Sequence, residues 1–78
     1  MGKEVLDAKI VGKVFADLRN ERGLSQEVLS GLAGIGRTHL SAIENGERKP
    51  TLETLYKLCQ ALNIKMEIAV KEIEKRIK

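Results

Sequence analysis

Aromatic side chains are almost missing from this sequence: Phe15 and Tyr56 are the whole complement, and there is no tryptophan. A core built without them is aliphatic, made of Leu, Ile and Val, which suits helices packed on helices. The single cysteine, Cys59, excludes an intramolecular disulfide and a cysteine-rich metal site. With only one histidine, His39, little is left for nucleophilic or metal chemistry. Nor is there a glycine-rich phosphate loop, because Gly31, Gly34 and Gly36 have the wrong spacing and no Lys-Ser or Lys-Thr follows them. An enzyme is not expected, and neither is a cofactor or a bound metal. Apolar runs fall far short of the ~20 residues of a membrane span, and no signal-peptide pattern opens the chain. The expected setting is the cytoplasm, with no membrane partner.

What is present has a globular balance. Hydrophobic residues make up 42% and charged ones 32%, a composition without the signature of disorder. At 78 residues the chain holds one small domain, near the size at which a single core just suffices. Its net charge of +3 permits a nucleic-acid partner without requiring one.

Glycine, proline and capping residues divide the chain. From Ala8 to Arg22, Ile10, Val11, Val14, Phe15 and Leu18 recur at helical spacing, with Asp7 as N-cap and Gly23 as stop. Residues 1–6 carry no signal of their own and either fray or extend this helix. Ser25 caps a second helix, whose inward stripe is Val28, Leu29, Leu32 and Ala33, ended by Gly34. The third runs from Arg37 to Glu44 with Leu40 and Ile43 inward, and Asn45-Gly46 closes it. A charged loop to Pro50 follows, then Thr51 caps a fourth helix, Leu52 to Leu62, with Leu52, Leu55, Leu58, Cys59 and Leu62 inward. In the tail, Met66, Ile68 and Val70 alternate with charged residues, a strand pattern, while Met66, Val70, Ile73 and Ile77 also fall at helical spacing. Lys65 is a poor N-cap, which tips the reading to a strand at about 65–71. The expected fold is all-α, four to five helices, with a short C-terminal strand as the possible addition.

Two short helices joined through Gly34 form a helix-turn-helix over 25–45. Ser30 is small where the helices cross, and Ile35, Leu40 and Ile43 pin the second helix down. Its outward residues, Arg37, Thr38, Ser41 and Ala42, are small and neutral with one Arg at the tip, where a solvated helix would usually carry Lys–Glu pairs. Such a face fits a groove. Arg37 is suited to a bidentate contact to guanine, worth ~1–3 kcal/mol of discrimination, Thr38 and Ser41 to base edges or phosphate, and Ala42 to a thymine methyl. Taken alone, the same face also reads as plain solvated helix.

With its flanks, this string resembles the phage-repressor-like (Cro/repressor, XRE-type) helix-turn-helix domains. The resemblance rests on Leu18-Arg19, on Arg22-Gly23-Leu24-Ser25-Gln26-Glu27, and on Leu29 and Gly34. It continues through Arg37-Thr38-His39-Leu40-Ser41-Ala42-Ile43-Glu44-Asn45-Gly46 to Pro50-Thr51-Leu52, covering about residues 8–64. It implies a compact four- or five-helix bundle that binds operator DNA, usually as a dimer, with the helix from Arg37 in the major groove. It also implies a partly buried ion pair between Arg19 and Glu44, and a phosphate contact from Gln26 that braces the recognition helix. Gln26 opens its helix, where free backbone N–H groups meet anions. Asn45, Arg48 and Lys49 would approach phosphates beyond the recognition helix, contacts that fix register without reading sequence. His39 sits beside the reading face and could add one more, although a surface histidine without function is equally consistent. Taken alone, Arg48-Lys49 reads as a solvated loop, and Lys9, Lys13 and the tail lysines as solubility charges. The departure from the family is Gly36, which offers no side-chain cap where a polar residue is common.

These readings assign residues 1–64 to a DNA-binding domain and 65–78 to a dimerisation or packing tail. Met66, Ile68 and Val70 would form a dimer interface, through a strand edge or a helical face. The leading expectation is a sequence-specific transcriptional regulator, a repressor binding a palindromic operator in double-stranded DNA as a homodimer. The alternatives are an antitoxin with a toxin partner, disfavoured by the lack of a long disordered neutralising segment, and a restriction–modification controller.

Overall fold

The computed structural model describes residues 5–77. Five helices follow in order: α1 Ala8–Glu21, α2 Gln26–Ala33, α3 Arg37–Glu44, α4 Leu52–Ala61 and α5 Met66–Arg76. Val5 and Leu6 lie outside α1, and residues 1–4 fall outside the described residues. Side-chain caps start three of the helices: Asp7 accepts from the Lys9 N–H, Ser25 from Val28 and Thr51 from Thr54.

The ends of α1 to α4 share one geometry. In each, a backbone N–H reaches back five residues: Leu24 to the Arg19 carbonyl, Ile35 to Ser30, Glu47 to Ala42 and Ile64 to Cys59, at 2.9–3.2 Å. The residue before each donor is left-handed, Gly23, Gly34, Gly46 and Asn63 in turn. This is the Schellman arrangement, which satisfies the orphan carbonyls and turns the chain sharply enough to stack short helices.

Phe15, Leu29, Leu40, Ile43, Leu58 and Leu62 are fully buried and form the centre. α1 packs on α3 and α5, α2 on α3 and α4, and α4 on α5. Cys59 belongs to this core, and burial pushes its thiol pKa up, so it is a small apolar residue rather than a nucleophile.

Three sequence expectations are corrected. Residues 65–71 are not a strand, because Met66–Arg76 is helical. Lys65 indeed gives no side-chain cap, but Ala69 and Ile73, four apart, bury completely or nearly so, and Met66 packs beside them. Tertiary burial of one helix face outweighs a missing cap. On α2, Val28 and Leu32 face solvent at 48% and 62% exposure, and the inward face is Leu29, Ser30 and Ala33. The buried face is therefore rotated by one flank from the apolar stripe, toward small Ser30, whose Oγ donates to the Glu27 carbonyl. Leu52, in the first turn of α4, is likewise outside, at 75%.

An ion-pair latch ties α5 to α1. Arg76 Nη1 donates to Asp17 Oδ2 at 2.9 Å, and Lys13 Nζ to Asp17 Oδ1 at 2.9 Å. The Lys13 and Arg76 hydrogen bonds hold the Asp17 carboxyl below its ordinary value of 3.8. A folded-state pKa below the unfolded one contributes stability that is present above the ordinary value and is lost as pH falls through the lower one. Urea midpoints of wild type and Asp17→Asn should therefore differ at neutral pH and converge in acid.

Candidate nucleic-acid interface

α3 packs against α1 and α2 and leaves its other side open to solvent. Leu40 and Ile43 are fully buried beneath it, while Arg37 and Thr38 are exposed and Ser41 and Ala42 half-buried. At roughly 100° per residue, Thr38, Ser41 and Ala42 fall on the arc opposite Leu40 and Ile43, and Arg37 stands at its edge, one turn ahead of Ser41. Gly36 precedes the helix in extended conformation and makes no side-chain cap, so the first N–H groups of α3 have no such acceptor.

A buried charge network fixes the other end. Arg19 Nε donates to Glu44 Oε2 at 2.8 Å and Nη2 to Oε1 at 3.0 Å, while Nη1 donates to the Leu24 carbonyl at 2.7 Å. Gln26 Nε2 adds a third donor to the Glu44 carboxylate, at 2.9 Å. The side chains are 13% and 4% exposed for Arg19 and Glu44. Glu44 thus joins α1, α2 and α3 at one point, and hydrogen bonding to it raises the Arg19 pKa further above an already high value. The ion pair that the family resemblance implies forms, with Gln26 added to it. The Gln26 side chain braces α3 directly.

The remaining candidates divide by location. Asn45 ends α3, its Nδ2 donating to Ser41 Oγ at a long 3.4 Å. Arg48 and Lys49 are exposed in the loop that follows, and His39 is half-buried on α3. The dimer candidates do not share a face. Met66 packs against its own core, and Ile68 and Val70, exposed at 42% and 47%, point to different sides of a helix rather than one side of a strand.

The sequence reading passed over Gly12. It is buried in α1 where that helix crosses α3, and a Cβ there would run into the Ile43 carbonyl oxygen and stand 2.8 Å from that of Glu44. A lone glycine inside a strongly periodic helix costs ~1 kcal/mol relative to alanine, and that cost was the available signal of a backbone contact.

No helix among the described residues is long and apolar enough to cross a membrane, and no group of His, Cys, Asp and Glu among them could hold a metal.

Comparison with known proteins agrees with this geometry. The helix-turn-helix family profile matches residues 15–68. An uncharacterized HTH-type transcriptional regulator of Sinorhizobium fredii, y4dJ, is 48% identical over 56 residues, which is 72% of this chain and 73% of that protein. Control protein C.MunI of a Mycoplasma species is 38% identical over 71 residues, 88% of this chain and 96% of its own. The crystal structure of the restriction-modification controller protein C.AhdI from Aeromonas hydrophila superposes with a TM-score of 0.77 at 33% identity, over 88% of this chain and 98% of that one. With the turn at Gly34, the braced α3 and these relatives together, the chain belongs to the phage-repressor-like, XRE-type helix-turn-helix family of DNA-binding transcriptional regulators.

Proposed function

We propose that the protein is a sequence-specific repressor that reads a palindromic operator as a homodimer, with α3 of each chain in the major groove. The observation that carries this reading is the pairing of a small, neutral outward arc on α3 with a helix held by Glu44 at one end and by Gly12 along its back. A reading helix has to be rigid, because a displaced donor loses its base-edge hydrogen bond. Arg37, Thr38, Ser41 and Ala42 read bases, while Gln26, His39, Asn45, Arg48 and Lys49 approach phosphates. So few reading residues per chain bind weakly alone, and two half-sites about one helical turn apart supply the missing affinity and the symmetry. Because Ile68 and Val70 are exposed on different sides of α5, the contact between chains uses one of those sides and not both, and Met66 supports α5 from inside.

Selection from a randomised duplex pool, followed by anisotropy titration of wild type and Arg37→Ala at fixed salt, tests the reading. The expected result is an enriched palindrome that the variant binds about 5- to 150-fold more weakly, the range for one bidentate contact to guanine. Equal, preference-free binding by both proteins would rule operator reading out. A controller role in a restriction–modification system is the second reading, favoured by the likeness to C.AhdI and C.MunI over nearly their whole lengths.

A further inference from the structure

On sequence alone Lys9 and Lys13 are solubility charges; the fold gives them a different setting. α1 lies across the C-terminal end of α3, and three residues before the Gly12 crossing Lys9 rests on Gly46. A Cβ on Gly46 would stand 2.5 Å from Lys9 Cγ and 2.9 Å from its Cα. Lys9 and Lys13 of α1, Glu44 and Asn45 at the end of α3 and Arg76 of α5 thereby line one open depression with Ile10. Asp17 and Glu44 are both taken up in ion pairs, Asp17 with Lys13 and Arg76 and Glu44 with Arg19. Asp7 accepts from the backbone N–H of Lys9 but keeps its charge, and Glu47, next to Gly46, makes no ion pair among the described residues. One Asp17 charge against two cations leaves an excess, and Lys9, whose side chain is exposed, makes no ion pair among the described residues.

We infer that this depression is a further DNA-phosphate site, in which Lys9 contacts the backbone directly and Lys13 and Arg76 add an attraction damped by Asp17. It rests on the proposed seating of α3 in the major groove. A helix so seated has phosphates passing its ends, and Lys9 is beside Asn45 at one of them. Such a contact sets register and affinity and carries no sequence information.

The test is an anisotropy salt titration of wild type, Lys9→Gln and Lys9→Arg on the selected operator and on an unrelated duplex of equal length. Losing one phosphate contact makes the slope of log K against log salt shallower by about 0.9. The gap between wild type and Lys9→Gln should therefore close by roughly 3.5-fold between about 50 and about 200 mM salt, equally on both duplexes. Lys9→Arg should restore the slope, and thermal melts should coincide because the side chain is exposed. A Lys9→Gln slope equal to that of wild type overturns the site, as does a loss confined to the operator. The wild-type ratio of operator to unrelated affinity decides operator reading separately: a flat ratio with the slope difference intact sinks that reading and keeps the phosphate site. No salt-dependent binding by wild type removes both.

Discussion

Gly12→Ala is expected to lower the melting temperature by about 4–24 °C and to weaken DNA binding with it. Alanine would normally stabilise a helix interior by ~1 kcal/mol relative to glycine. Here the added methyl meets the backbone of α3 at Ile43 and Glu44, and no rotamer change relieves a clash with main chain. Overpacking of this kind costs about 1–3 kcal/mol and occasionally more, and each kcal/mol moves the midpoint of a domain this size by about 4–8 °C. The relief available is for α3 to slide away from α1, which would also shift its outward arc and strain the bonds from Arg19 and Gln26 to Glu44. Circular-dichroism melts and an operator titration of the same variant check both effects. A melting temperature that rises, as helix propensity alone dictates, would show that the two backbones do not touch.

Glu44→Ala is expected to cost about 3–5 kcal/mol, the range for removing one partner of a buried ion pair. That is a large share of the ~5–15 kcal/mol that holds an ordinary domain together. The substitution leaves the Arg19 guanidinium desolvated with only the Leu24 carbonyl as acceptor, and strips Gln26 of its partner. Because the damage comes from the stranded charge, Arg19→Met combined with Glu44→Leu should be less destabilising than Glu44→Ala alone. Gln26→Ala should cost about 1.5–3 kcal/mol, one hydrogen bond to a charged group. Urea midpoints of these variants give the ordering directly. A double variant as unstable as the sum of its singles would mean that the pair, and not its breakage, supplies the stability.

Much of the architecture was legible because its signals are local. Asp7, Ser25 and Thr51 each accept the capping hydrogen bond their position implies, and Gly23, Gly34 and Gly46 take the left-handed conformation that ends a helix and starts a turn. Capping and turn chemistry act within a few residues, so a sequence window contains both partners. The Arg19–Glu44 pair joins positions 25 residues apart and became visible only through family resemblance. Spacing alone would not have found it.

The tail shows where local reading stops. Met66, Ile68 and Val70 satisfy a strand period as well as part of a helical one, and Lys65 is a poor cap, so the segment by itself gives the wrong answer. The free energy that decides it comes from burying Ala69 and Ile73 against α1 and α4, an interaction absent from any short window. Val28, Leu32 and Leu52 follow the same logic, since periodicity ranks the faces of a helix but not how far each is covered.

The sequence by itself determined the number and boundaries of the first four helices, the turn between α2 and α3 and the chemical character of the outward face of α3. Those follow from backbone conformational preference and side-chain polarity, which each residue carries with it. Only the tertiary structure decided that the tail is a helix, that Gln26 joins Arg19 on Glu44, that Gly12 is the contact point of α1 with α3, and that Lys9 stands beside Asn45. Each of those depends on which distant backbone comes within a few ångströms, and close approach is a property of the packed chain.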